Sequence, residues 1–405
     1  MKMNREKRNY LLGVLHGVFY FAANGFADTT TVLPAFLRHL VSSSAIIGFV
    51  AAISRGGALF FQLVSAAYLE GKPKKRVLVA SLYVRFFSWA FIAVSSGILL
   101  PDHPTAELVL FIVFLSTFSF AGGVAVIPFY DIITHNIPAG RLGRFWATRQ
   151  FVGGILAVAS GLCVKLIMQR FDFPMNYTVI FSLATIVFAA AFVSLGSMDE
   201  GGVNQKPNRS VGDFLKGAVD ILKNRNDFRF MLLSEFLSHA IYMCLPFIAI
   251  YALYRLGLPR DTLGYFVSAQ MAGSIVSNLF WGYYADRKGS RFVIIATNLL
   301  AVSVPALVMF VKSTTMFLIV FFLMGAYLHG SFIGYTNYML KIAPEAKRPT
   351  FVSIRGTFNA ISYFLPAAGG LLVDSFSYET LFSVTTVASL CGLVFATLLK
   401  EPVRS

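Results

Sequence analysis

Long apolar stretches recur along the whole length of this sequence, and they constrain its fold more than any other feature. A helix that crosses a lipid bilayer needs about 20 consecutive apolar residues. Of the 405 residues, 57% are hydrophobic and only 13% are charged, too few ionisable groups to cover a water-soluble globule of this size. The pattern excludes an ordinary cytosolic enzyme and predicts an all-α integral membrane protein.

The apolar stretches number twelve, and one long polar segment separates the first six from the last six. We predict an N-terminal bundle at 1–197, a cytoplasmic central loop at 198–227 and a C-terminal bundle at 228–405. The predicted spans are 10–38, 44–69, 77–100, 106–134, 144–169, 174–197, 228–255, 261–285, 292–312, 314–340, 350–374 and 377–399.

The net charge of +15 is distributed unevenly between the two sides of the predicted membrane. If the N-terminus is cytoplasmic, 26 of the 34 Lys and Arg residues fall in the leader, the cytoplasmic loops and the tail. Basic residues near span ends are retained on the cytoplasmic side and attract anionic lipid head groups. We therefore expect a multi-pass protein of the inner membrane, with both termini cytoplasmic, lipids as neighbours and no nucleic-acid partner.

An internal repeat relates the two halves. With a shift of 206 positions, Pro138, Phe145 and Arg149 align with Pro344, Phe351 and Arg355. With a shift of 216, Gly48, Gly57 and Glu70 align with Gly264, Gly273 and Asp286. Paired six-helix halves are typical of secondary transporters.

The loop after the eighth predicted span carries the most specific motif. It reads Gly282-Tyr-Tyr-Ala-Asp286-Arg287-Lys288-Gly289-Ser290-Arg291, which resembles the cytoplasmic loop motif of the major facilitator superfamily. The first-half loop keeps the acid Glu70 but has Ala66 and Pro73 at the small-residue positions. The region from Gly153 to Gly161 lacks the proline of the motif found in several drug antiporters, which weakens that assignment.

This resemblance implies two pseudo-symmetric six-helix bundles, transport by alternating access, and a gate between the halves. It implies that Asp286, Arg287 and Arg291 face Arg149, and that Glu70 faces Arg355. The predicted gate residues are Glu70, Arg149, Gly282, Asp286, Arg287, Arg291 and Arg355.

Charged side chains within predicted spans are expensive in a membrane and therefore indicate function or pairing. His16, Tyr20, Asn24 and Asp28 recur every four residues and form one polar stripe on the first span. Asp28 and Arg55 fall at a similar depth, so they either couple a proton to substrate arrival or form a permanent ion pair.

Three further positions are candidates for proton coupling or anion binding. Glu235 and His239 are four residues apart and share one helix face, which suits a proton relay. Asp131 is a weaker candidate, since it is close to a solvated helix end. Arg85 is either the counter-charge of a substrate anion or a snorkelling side chain.

Neutral polar residues in the later spans complete the prediction, although hydrogen bonding between helices explains them equally well. The predicted proton-coupling residues are Asp28, Asp131, Glu235 and His239. The predicted substrate-binding residues are Tyr20, Asn24, Asp28, Arg55, Arg85, Gln270, Asn278, Tyr327, His329 and Asn359.

The leading hypothesis is a monomeric, proton-coupled antiporter that exports a small amphipathic or aromatic molecule. A lipid or lysolipid flippase, a divalent-metal transporter and a non-transporting sensor are the alternatives. The sequence shows no metalloprotease, nucleophile-elbow or phosphate-loop motif, so we expect no enzyme. Its three cysteines are far apart, and we expect no metal site and no cofactor.

Overall fold

A computed structural model describes residues 5–68, 74–199 and 220–402, and every regular element in these ranges is helical. The first half contains α1 (Arg5–Phe26), α2 (Val32–Leu40), α3 (Ser44–Tyr68), α4 (Lys75–Ile98), α5 (Pro104–Asn136), α6 (Ala139–Arg170) and α7 (Met175–Gly196). The second half contains α8 (Asn226–Ser238), α9 (Leu245–Ile250), α10 (Thr262–Arg287), α11 (Ser290–Val308), α12 (Thr314–Ile342), α13 (Arg348–Ser362), α14 (Leu365–Ser375) and α15 (Tyr378–Leu398). Short 3₁₀ segments at His239–Met243 and Glu345–Lys347 and a π segment at Tyr251–Arg255 connect some of these helices.

Ten helical segments in the described ranges are long and apolar enough to cross a membrane. The predicted first and eighth spans are not among them. α1 is rich in polar residues and stops at Phe26, and α10 carries many Ser, Asn, Gln and Tyr residues. The polar stretch 200–219, which holds most of the predicted central loop, lies outside the described residues.

Three predicted spans are interrupted where the sequence pattern suggests one continuous helix. The first span breaks between α1 and α2, where the Asp28 Oδ1 atom accepts hydrogen bonds from the Thr30 amide and from the hydroxyls of Thr30 and Thr31. Such local side-chain bonds compete with the helical ladder. The seventh and eleventh spans restart at Pro246 and Pro366, which occupy the first turns of α9 and α14.

Helix contacts fall mainly within each half of the chain. In the first half, α1 packs on α6 and α7, α4 on α5 and α7, and α3 on α5. In the second half, α12 packs on α10 and α11, and α15 packs on α8 and α11. The halves meet mainly along two helix pairs, α6 with α10 and α3 with α14.

The two ends of this interface differ. We call the end where α1 begins and α15 ends the termini end, and the opposite end the far end. At the far end the backbones touch: a methyl group on Gly264 would overlap the Gly161 carbonyl and the Lys165 amide, and one on Gly48 would overlap the Pro366 carbonyl. Glycine is required for such close helix approach.

Polar contacts also tie the halves together at the far end. The Asp374 carboxylate accepts bonds from the Ser43 hydroxyl at 2.7 Å and from the Ser44 and Ala45 amides at 2.7 and 2.9 Å. The Gln169 amide donates to Asp261 at 2.7 Å. The two halves are therefore firmly joined at the far end.

At the termini end the interface glycines are open. A methyl group on Gly282 of α10 or on Gly356 of α13 would meet no atom within 4 Å. Polar ties here join each half to itself: Asp199 accepts from Arg5 at 2.8 Å, and Glu401 accepts from the Arg291 amide at 2.7 Å. Among the residues that the structure describes, backbone contact between the halves at interface glycines occurs at the far end and not at Gly282 or Gly356.

Candidate functional site

Two buried arginines define a cavity inside the first half. Arg85 of α4 and Arg149 of α6 are only 8% and 6% exposed, and both line a cavity of about 320 Å³. We call these two residues, together with His16, Tyr20 and Phe129, the arginine cluster.

Arg85 is held by aromatic rings. Its guanidinium carbon lies 4.2 Å from the Phe118 ring centre and 5.1 Å from that of Phe192, and its Nη2 donates to the Tyr20 hydroxyl at 3.0 Å. Cation–π contacts of this kind stabilise a cation without neutralising it. Its Nε atom is buried and has no hydrogen-bond partner.

Arg149 is directed into the first half by a glycine. A methyl group on Gly17 of α1 would overlap the Arg149 side chain, so that chain runs directly across the surface of α1. The guanidinium carbon lies 5.0 Å from the Phe129 ring centre and 5.2 Å from the Trp146 ring. The Nη1 atom is buried and has no hydrogen-bond partner.

The corresponding arginine of the second half has an acid partner. Arg355 donates to both carboxylate oxygens of Glu235, with three contacts between 2.6 and 3.0 Å. The two side chains are 9% and 2% exposed, and the Asn359 amide also donates to Glu235, at 3.3 Å. They line a second cavity of about 350 Å³ between the halves.

Two histidines border this second cavity. His239 stacks on Tyr242 with ring centres 4.6 Å apart, and the Arg55 guanidinium lies 5.5 Å from the same Tyr242 ring. His329 lies 2.9 Å from the side-chain amide of Gln150, which belongs to the first half. His239 and Glu235 line the same cavity, but no hydrogen bond joins them among the described contacts.

Asp28 does not pair with Arg55 in this conformation. Its carboxylate is occupied by Thr30 and Thr31, and it faces the second half through Gln270, whose Nε2 is 3.5 Å from Oδ2. The expected polar stripe is also only partly a cavity lining, because Asn24 donates to the backbone of its own helix at Tyr20.

Other predicted site residues have structural contacts. Asp131 forms a 2.9 Å ion pair with Lys74 at the termini end, as expected for a solvated helix end. Tyr327 is fully buried, and its hydroxyl donates to the Ser238 carbonyl at 3.0 Å. Asn278 is half-buried on α10 and lines neither cavity.

Four of the predicted gate residues, Arg149, Arg287, Arg291 and Arg355, contact residues outside the predicted gate set. Arg149 and Arg355 are directed into their own halves, as described above. Arg291 donates to the Thr397 carbonyl at 2.9 Å, and Arg287 lies 4.6 Å from the Tyr283 ring. Glu70 lies outside the described residues, and Asp286 borders a surface pocket near Lys341.

Several residues at these sites were not predicted. Gln150, Thr30 and Asp374 join the halves, yet each is a common polar residue within or beside an apolar stretch. Gly17 carries no chemical group at all. The one sequence signal that bears on these sites is the internal repeat, which aligns Arg149 with Arg355 and so suggests that the two arginines have equivalent surroundings.

Comparisons with known proteins agree with this architecture. Residues 231–405 match the family described as Major Facilitator Superfamily. A stretch of 180 residues is 28% identical to the multidrug resistance protein MdtG of Dickeya zeae (strain Ech586). That match covers 42% of this chain and 43% of MdtG, so it spans less than half of the curated relative.

Solved structures share the fold over nearly the full length. A point mutant of the nucleoside transporter NupG covers 97% of this chain and all of its own, with a TM-score of 0.73 at 15% identity. A bacterial homologue of the iron transporter ferroportin in its inward-facing state covers 98% of both chains, with a TM-score of 0.70 at 15% identity. At 15% identity, these two structures show that the chain shares their fold. The family match at 231–405 covers a little less than half of the chain, and the similarities specify no subfamily.

Proposed function

We propose that this chain is a secondary active transporter that exports a small amphipathic or aromatic molecule in exchange for protons. Its two halves, 1–197 and 228–405, would act as six-helix bundles that rock about the interface. The observation that carries the proposal is the one-sided interface, closed at the far end by Gly48, Gly264 and Asp374 and open at the termini end.

The basic residues give the orientation of this conformation. Because they are concentrated at the termini end, we place that end in the cytoplasm of an inner-membrane protein. The conformation is then inward-facing. In support, the TM-score to the ferroportin homologue is 0.70 for its inward-facing state and 0.62 for its outward-facing state.

We assign proton coupling to Glu235 and Asp28. Protonation of Glu235 would break its ion pair with Arg355, which the sequence predicts to be a gate residue. Binding of one proton in the second cavity would then free Arg355 for contacts at the gate. Asp28 occupies the break in the first span and faces Gln270 of the other half. Protonation of Asp28 would change its contact with Gln270 of the other half, and protonation of Glu235 would change its contact with Arg355.

The test is pH-driven flux in proteoliposomes. The probes are the fluorescent cation ethidium and the anion naphthalene-2-sulfonate, followed under an imposed pH gradient. We expect Asp28→Asn and Glu235→Gln to lose gradient-driven flux while the purified proteins stay folded. Asp131→Asn is the matched control, because Asp131 pairs with Lys74 at the termini end and should tolerate the same chemical change.

Undiminished proton-dependent flux in both variants would remove the coupling role, and absence of flux for every probe would favour a sensor. Within the described ranges, no three His, Cys, Asp or Glu side chains converge, so the geometry gives no support to a divalent-metal pathway. We expect a monomer with no cofactor.

A further inference from the structure

We propose that the arginine cluster binds an organic anion with an apolar or aromatic body, and that such anions are the cargo. The assignment of cargo rests on the proposed transport function. The evidence for the binding site itself is that Arg85 and Arg149, in the described part of the chain, are buried and have no acidic partner.

The first step is the missing counter-charge. Nine ion pairs occur among the described residues, and neither Arg85 nor Arg149 takes part in any of them. Both side chains are more than nine-tenths buried, and each has a nitrogen without a hydrogen-bond partner. Buried cations at membrane depth are costly unless a partner or ligand offsets them.

The second step is the comparison of the two halves. Arg149 and Arg355 are equivalent in the internal repeat, and Pro138 and Pro344, eleven residues before them, share the same backbone angles of −55° and 142°. Arg355 binds the Glu235 carboxylate on α8, the first helix of its half. Arg149 meets Gly17 on α1, the first helix of the other half. In the second half Glu235 supplies the carboxylate for Arg355, whereas in the first half Gly17 leaves that place free for the carboxylate of a ligand.

The third step is the chemistry of the cavity. Guanidinium groups bind carboxylate, sulfonate and phosphate oxygens through paired N–H donors, and their faces stack on aromatic rings. Phe118 and Phe129 contact those faces, which leaves N–H edges for an anion. The remaining lining is largely apolar, including Leu82, Ala125 and Val126. A volume of about 320 Å³ suits a small ligand.

Equilibrium binding to the purified full-length chain tests the site, with calorimetry as the readout. The probes are two anions, 2-naphthoate and naphthalene-2-sulfonate, and their neutral amides of nearly the same shape. We expect both anions to bind at least tenfold more tightly than their amides. Arg85→Gln and Arg149→Gln should each weaken anion binding about 10- to 100-fold, in line with the loss of charge-assisted hydrogen bonds.

Three further variants separate binding from folding. Arg144→Gln removes an exposed charge from the same helix as Arg149 and should leave anion affinity unchanged. Arg85→Lys keeps the charge without the paired donors and should give an intermediate loss. Gly17→Ala keeps both arginines but displaces Arg149, so it should weaken anion binding while binding of the amides is unaffected.

The outcomes are distinct. Equal affinity for anions and amides, no anion binding by the native chain, or native anion affinity in both glutamine variants would each overturn the site. Anion binding without flux in proteoliposomes would leave the site standing and remove the transport function. Flux of ethidium without any flux of naphthalene-2-sulfonate would leave transport standing and remove the anion as cargo.

Discussion

Substitution of Gly264 by alanine tests whether the far-end contact belongs to only one conformation. The added methyl group would overlap the Gly161 carbonyl and the Lys165 amide of the opposite half, both backbone atoms that no rotamer change can move. Overpacking of this kind costs about 1 to 3 kcal/mol. This cost applies only to the conformation in which α6 and α10 touch at the far end. We therefore expect the equilibrium between this conformation and one with separated far ends to shift toward separation by about 5- to 150-fold.

The better helix propensity of alanine, about 1 kcal/mol relative to glycine, offsets part of this cost, so we expect the variant to fold. Spin labels at Arg170 and Arg260, two exposed far-end positions on opposite halves, report the separation in double electron–electron resonance. The native exposed cysteines, Cys163 and Cys391, are replaced by serine. We expect longer distances to gain population in Gly264→Ala.

Gly282→Ala is the control on the same helix, since its methyl group would meet no atom within 4 Å and should leave the distances unchanged. An unaltered distance distribution in folded Gly264→Ala would refute the reasoning, because the overlap would then be absorbed without separating the halves.

Three other predictions follow from buried or charged contacts. Glu235→Gln or Arg355→Gln alone should cost about 3 to 5 kcal/mol, and the double variant less than the sum, in a thermal double-mutant cycle. Asp374→Asn should increase far-end separation in the same spin-label assay, by weakening the bonds to the start of α3. A hydrogen bond from Arg5 lowers the pKa of the partly exposed Asp199 below its usual 3.8. The stabilisation from this contact should therefore be complete above pH 3.8 and lost as the pH falls through the lowered pKa. Asp199→Asn should remove that acid-dependent loss in a thermal-shift series, and an unchanged acid profile would contradict it.

Ten of the twelve predicted spans correspond to helical segments in the described ranges that are long and apolar enough to cross a membrane, because hydrophobic length is a property of each segment alone. It does not predict the breaks in the first, seventh and eleventh spans. Those depend on Asp28 bonding to Thr30 and Thr31 and on the placement of Pro246 and Pro366, which apolar averaging over a window conceals.

Side-chain partners were harder to predict than helices. The depth argument that paired Asp28 with Arg55 treats helices as parallel rods and ignores rotation about their axes, and the two side chains have different partners in the structure. The assignment of Arg149 and Arg355 to the gate came from the resemblance of a loop motif, which carries no information on side-chain packing. Their inward direction here depends on Gly17 and Glu235, which lie more than 100 positions away along the chain.

Gly17 has a consequence for how a transporter of the proposed kind could acquire a new preference among ligands. The Arg149 side chain can cross α1 only because Gly17 has a hydrogen atom where other residues have a side chain. Gly17 itself has no functional group. Selection for altered cargo could therefore act at a residue that never touches the cargo. A mutational scan restricted to polar and charged positions would overlook it.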